Sequence, residues 1–246
     1  MKGDQMCMQC QQNSSLVSRR VFGLFAMSSA ALLLASRANA KEKKAPPKPE
    51  NLLSPEAALK RLLKGNARYV EGVTQRHDFK REREALVGGQ NPYAAILSCA
   101  DSRIAPEYAF DSSRGDLFVC RVAGNFAADE TVASMEYAVA VLNTPLILVL
   151  GHESCGAVDA TIKSLKDDKP LPGHMPSLVQ AIAPAVKAVS SKGGDTLNNA
   201  IRQNVIDNVA KLKSATPILS AAVNEKKIQV AGGIYRLSSG KVELVG

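Results

Sequence analysis

Three residues of this 246-residue chain together offer the donor set of a zinc site: Cys99, His152 and Cys155. Two thiolates and an imidazole are soft to borderline ligands, a combination suited to tetrahedral Zn2+. His152 and Cys155 stand three apart in Gly151-His152-Glu153-Ser154-Cys155-Gly156. One turn at a helix start would aim both at a single ion, and that helix start would favour the Cys155 thiolate over the thiol. A structural zinc site closes with four protein ligands, whereas a catalytic one keeps a position for water. A set of three leaves that position open.

Cys99 heads a second motif, Cys99-Ala100-Asp101-Ser102-Arg103. In an extended segment residues two apart share a face, so Cys99, Asp101 and Arg103 would point the same way. An Asp held by Arg stays ionised near neutral pH. Beside a metal it would accept a hydrogen bond from bound water and favour hydroxide in position to attack. Taken singly, these features have plainer explanations. A cysteine is often a small buried hydrophobe, and an exposed Asp–Arg pair is worth under about 1 kcal/mol. Their joint placement favours the metal. Zinc with two thiolates and a neutral histidine has no net charge. It should acidify its water less than a three-histidine site, where the pKa is about 7, so activity should shift toward base.

The elements that must position these motifs are legible as apolar runs. Tyr93 to Leu97 leads into Cys99, and Pro145 to Leu150 leads into Gly151-His152; both read as buried strands. Leu117 to Arg121 is a third strand, and Ile228 to Leu237 with Lys241 to Val245 reads as a closing hairpin. Ser54-Pro55-Glu56 starts a helix that carries Leu59, Leu62, Leu63 and Tyr69 to a stop near Gly72. Phe79 to Leu86 is a second, short helical stretch. Asp129-Glu130 opens another, with Val132, Met135, Tyr137, Val139 and Leu142 directed at a core. Three more cover roughly Ser177 to Ser190, Asp195 to Lys213 and Pro217 to Glu225. Strands apolar on both faces, alternating with helices, predict an α/β domain with a mostly parallel central sheet. In such sheets ligands bind outside the carboxyl ends of strands, where both motifs fall.

The first 40 residues stand apart. Ser18-Arg19-Arg20-Val21-Phe22-Gly23, an apolar run of 15 residues to Ala35, and Ala38-Asn39-Ala40 form a secretory signal of twin-arginine type. The run is short of the roughly 20 residues of a spanning helix. Expected units are therefore a signal peptide over 1–40, a flexible Lys/Pro-rich linker over 41–52 and one domain over 53–246. Without the leader, 27 basic face 22 acidic side chains. No tryptophan and no basic-aromatic interleaving means no nucleic-acid platform. Cys7 and Cys10 fall in the leader, leaving three cysteines, an odd count that a disulfide framework does not explain. Cys120 alternates with Phe118 and Val122 and reads as a core thiol. His77 and His174 read as solvated loop residues, and Glu153 as an open candidate for orienting a ligand.

At these residues the chain resembles the β-carbonic anhydrases. The paired signature stands as Cys99-Ala-Asp101-Ser-Arg103 and Gly151-His152-Glu-Ser-Cys155-Gly156, framed by Gly115 to Val119, Arg121 to Asn125 and Ser134 to Ala138. The resemblance implies that Cys99, His152 and Cys155 bind one zinc and that Asp101 and Arg103 form the catalytic dyad. In some members the equivalent Asp also turns onto the metal, so Asp101 is a possible fourth ligand. It implies that Gln90, nine residues before Cys99, lies near bound substrate. It also implies about four parallel strands plus an antiparallel edge strand, and a homodimer or homotetramer with sites at the dimer interface. A Trp-containing bicarbonate regulatory pocket, found in one branch, has no counterpart here. The implied activity is reversible hydration of carbon dioxide to bicarbonate by zinc-bound hydroxide, in an exported, periplasmic enzyme with no membrane span once the leader is cut. Two alternatives remain open on the sequence: hydrolysis of carbonyl sulfide or carbon disulfide on the same architecture, and a non-catalytic zinc-binding protein.

Overall fold

A serine that caps, a proline at the first helical position and an acid behind it open the first long helix: Ser54 Oγ accepts from the Ala57 N–H at the start of α1 (Pro55–Val70). The computed structural model describes residues 47–245; the expected signal peptide, Cys7, Cys10 and the first part of the linker lie outside these residues. After α1 come α2 (Phe79–Ala85), β1 (Ala94–Ser98), α3 (Pro106–Ala109), β2 (Leu117–Arg121), α4 (Asp129–Ala140), β3 (Leu146–His152) and α5 (Gly156–Asp167). The chain then runs through α6 (Pro176–Val189), α7 (Thr196–Ser214) and α8 (Ile218–Asn224) to β4 (Gln229–Tyr235) and β5 (Val242–Val245). Among the described residues, no helix is long and apolar enough to cross a membrane.

The sheet order is β2-β1-β3-β4-β5, parallel throughout except for the antiparallel β4–β5 edge pair. Alternation along the central strands builds two cores. Ala95, Leu97, Ile147 and Val149 face one cluster, which includes Met135, Val158, Ile182, Val186, Ile201 and Val205 from α4 to α7. Ala94, Ile96, Leu146, Leu148 and Leu150 face the other, with Ala58, Leu62 and Phe110. β1 and β3 are buried along their whole lengths, which is why they read as unbroken apolar runs.

Strand order reverses between β1 and β3: the chain leaves β1 for β2 on one side and returns to β3 on the other. That reversal creates the crevice in which α/β sheets bind ligands. α7 lies close over the neighbouring strands because β3 carries Gly151. A Cβ there would come within 2.6 Å of Val205 Cγ2.

Three expectations need correction. Tyr137 is 47% exposed; Met135 and Ala138, three apart, make the buried face of α4, and a residue two beyond Met135 lies on the far side. Cys120 is half-buried rather than core, because β2 is an edge strand. The last part of the expected linker is anchored: Lys48 Nζ lies 2.6 Å from Asp116 Oδ1, and buried Asn51 donates to Asn91 O and Asp116 Oδ1.

Candidate metal centre

β1 ends one residue before Cys99, β3 ends on His152, and Cys155 is the N-cap of α5. All three are buried, and their ligand atoms lie within 4.8 Å of one another. The two sulfurs are 4.0 Å apart. Tetrahedral zinc with Zn–S bonds of about 2.3 Å needs sulfurs about 3.8 Å apart, so the spacing fits. His152 Nδ1 donates to Glu153 O at 2.8 Å, which leaves Nε2 with its lone pair. That Nε2 is buried and has no hydrogen-bond partner. A buried acceptor beside two thiols is the donor arrangement that a divalent cation would satisfy. The residues fit zinc.

His152 and Cys155 do not share a helical turn. The link between them passes through Ser154 in the left-handed region, at φ 52°. Glu153 fixes this link to the closing hairpin: its N–H donates to Tyr235 O at 3.0 Å and its Oε2 accepts from Leu237 N at 3.1 Å. Glu153 thus sets the His152 ring through its own carbonyl, the role left open on the sequence.

The sulfurs are electrostatically unequal. A hydrogen bond from the Cys155 thiol holds the Cys99 pKa below the ordinary thiol value, against burial, with His152 and the Gly124 and Asp101 N–H groups adding to the effect. Cys155 is pushed up by its pairing with Cys99 and by burial. The Ala157 and Val158 N–H groups at the start of α5 do favour its thiolate, but they are outweighed. The helix start thus acts on Cys155 in the expected direction, against the larger effects of burial and the neighbouring sulfur. Two buried thiolates in contact repel, and the pair shares one proton. A divalent cation would take that proton's place.

Asp101 and Arg103 meet, though not along an extended face. Residues 101–104 form a turn closed by Ile104 N–H donating to Asp101 O at 3.1 Å. Within it Asp101 Oδ1 accepts from Arg103 N and Nε, both at 2.9 Å, and Oδ2 accepts from Nη2 at 2.7 Å. These bonds hold the Asp101 carboxyl well below the usual carboxylate range. Oδ2 lies 3.9 Å from His152 Nε2, beside the ligand set, and Arg103 engages both carboxylate oxygens in this conformation. Arg103 Nη2 also donates to Ser154 O at 3.2 Å, tying one motif to the other.

Arg121, given no role on the sequence, holds the first motif in shape. Its Nε donates to Cys99 O at 3.0 Å, and its Nη2 donates to Asp101 O at 2.7 Å and Ile104 O at 2.9 Å. The Gly124 N–H, also not singled out, donates to Cys99 Sγ at 3.3 Å. Gln90 is exposed and precedes the opposite end of β1 from Cys99, so this chain does not bring it to its own centre. His174 is exposed as expected. His77 is not a solvated loop histidine: its Nδ1 lies 3.3 Å from Glu82 Oε1 and 3.3 Å from Ser113 Oγ.

A buried two-cysteine, one-histidine cluster at a sheet's switch point, with a carboxylate held beside it, has the donor set and the position of a metalloenzyme site. A family model described as carbonic anhydrase matches residues 94–242. Carbonic anhydrase 2 of Mycobacterium tuberculosis (strain ATCC 25618 / H37Rv) is 38% identical over 192 residues, covering 78% of this chain and 93% of that protein. The carbonic anhydrase of Mycolicibacterium smegmatis is 37% identical over the same shares of each chain. Among solved structures, the β-carbonic anhydrase CcaA aligns with a TM-score of 0.59 at 28% identity, over 76% of this chain and 95% of that one. The chain belongs to the carbonic anhydrase family, in its β class.

Proposed function

We propose that this enzyme interconverts carbon dioxide and bicarbonate on one zinc held by Cys99, His152 and Cys155. The observation that carries the reading is the buried, unpartnered Nε2 of His152 facing two sulfurs 4.0 Å apart. Zinc, when bound, supplies the acidity that makes hydroxide available to attack the carbon of carbon dioxide near neutral pH. The protein's own part is positioning. Asp101, kept ionised by Arg103, accepts a hydrogen bond at Oδ2 and orients the attacking oxygen. Because its pKa is held so low, Asp101 keeps no proton, and the one released on hydration passes to solvent.

Gln90 completes the site from a second subunit. Its exposure, and its place at the far end of β1, support this reading together with the family resemblance. The enzyme is then a homodimer or a homotetramer built from such dimers. The leader over 1–40 directs export to the periplasm, a reading supported by its sequence pattern, and the Lys/Pro-rich composition of the segment expected over 41–52 supports a spacer ahead of the anchored Lys48 and Asn51.

The test is stopped-flow carbon dioxide hydration from about pH 6 to 9, around the pKa of a zinc-activated water, on protein of measured zinc content. Activity should rise with pH and vanish with Cys155→Ser. A fully zinc-loaded protein inert toward carbon dioxide would overturn the proposal.

A further inference from the structure

α7 packs on the sheet and supplies none of the three candidate ligands, yet it buries polar side chains. Asn204 is 2% exposed and Asn208, one turn on, is 6% exposed. Burying amides is unfavourable unless each is hydrogen-bonded, and apolar residues would fill the space more simply. Here the bonds go to one loop. Asn204 Nδ2 donates to Gly124 O at 2.8 Å, and Asn208 Oδ1 accepts from Ala127 N at 2.7 Å. Asn208 Nδ2 donates to Asn204 Oδ1 at 3.1 Å, which turns the Asn204 amide so that its N–H2 faces the loop.

The loop needs such support. Gly124 and Asn125 are successive residues in the left-handed region, at φ 87° and 43°. The loop also has little room: a Cβ on Gly124 would come within 2.5 Å of Ile182 Cδ1 on α6. From this position the Gly124 N–H donates to Cys99 Sγ.

We propose that Asn204 is a positioning residue for the metal centre, holding the Gly124 carbonyl so that the Gly124 N–H supports the Cys99 sulfur. The chain of contact is short. The Asn204 amide fixes one side of Gly124, and the other side of the same residue meets the ligand. The hydrogen bonds of the Asn204 side chain go to Gly124 and Asn208, not to the metal ligands or the dyad, so its effect is read at the sulfur. Groups that hold a ligand from outside are worth about 10–100-fold in metal affinity. The inference rests on Cys99 being a zinc ligand.

The experiment uses the full mature chain and the variants Asn204→Ala and Asn204→Asp. The second keeps the size but turns an acceptor toward the Gly124 carbonyl. Zinc affinity is measured by chelator competition, and cobalt-loaded protein is read by its sulfur-to-metal charge-transfer band. Both variants should bind zinc about 10–100-fold more weakly and shift that band, while Gln203→Ala on the same helix changes neither. Folded variants with wild-type affinity and an unmoved band would overturn the inference. If neither variant folds, wild-type protein loaded with cadmium-113 decides. Scalar coupling between the ion and the Gly124 amide proton is expected, and its absence overturns the inference. Failure of the underlying zinc reading would appear differently, as a wild-type chain that binds no stoichiometric metal.

Discussion

Removing the Arg121 guanidinium should release the loop that carries Cys99 and Asp101. Arg121→Ala deletes three hydrogen bonds, to the carbonyls of Cys99, Asp101 and Ile104. The side chain is partly exposed and its contacts compete with water, so a net loss at the low end of the usual range is expected. Three such bonds come to about 1–2 kcal/mol. For a domain of this size that lowers Tm by about 2–8 °C. The effect on catalysis should be larger than the effect on stability. The loop sets where Asp101 stands relative to His152, and a displacement of about 1 Å at a reacting centre costs about a hundredfold. Arg121→Lys should behave like the alanine variant, since one ammonium cannot span three carbonyls as a planar fork does. Stopped-flow hydration with zinc content measured alongside separates loss of metal from misplacement of the carboxylate. An alanine variant that keeps full zinc and activity within twofold of wild type would refute the positioning argument.

Asp101→Asn should lower activity on the order of tenfold to a hundredfold. The Asp101 pKa is depressed in the folded protein, so its stabilising contribution is present above the ordinary carboxylate pKa of about 3.9 and is lost only as pH falls through the lower folded value. It stays ionised throughout the activity range, and a second inflection in the wild-type pH profile that disappears in the variant would contradict this. Leu148→Ala, at a position with no exposed surface, should cost about 2–5 kcal/mol in urea denaturation; a loss under about 1 kcal/mol would argue against a close-packed core on that face of β3. Gln90→Ala should lower turnover while leaving zinc content intact. An isolated monomer with full activity would remove the reason for placing Gln90 at a partner's centre.

The central strands were legible because burial on both faces leaves an uninterrupted apolar run, and β1 and β3 are such runs. The three ligands were legible because cysteine and histidine at the ends of those runs have few structural uses. The arrangement of Asp101 and Arg103 was not. Spacing of two suggested an extended face, whereas the chain turns at Ser102 and the pair closes through both the backbone and the side chain of Arg103. Arg121 and Gly124 stood out only as part of the framing segment Arg121 to Asn125, and Asn204 not at all, since the role of each lies in a contact between elements distant in sequence. Asn204 lies 80 positions from Gly124. Tyr137 was misplaced because apolar character alone was read as burial, without regard to which side of α4 it occupied.

β3 is paired on both edges and buried along all seven of its residues. Its amides should exchange with solvent only when the whole domain opens. The turn bearing Asp101 and Arg103 is exposed and held by side-chain bonds, so it can open locally at far smaller cost. The centre therefore joins two halves with different lifetimes: His152 is as permanent as the fold itself, while the carboxylate beside it can let go and re-engage many times before the imidazole moves.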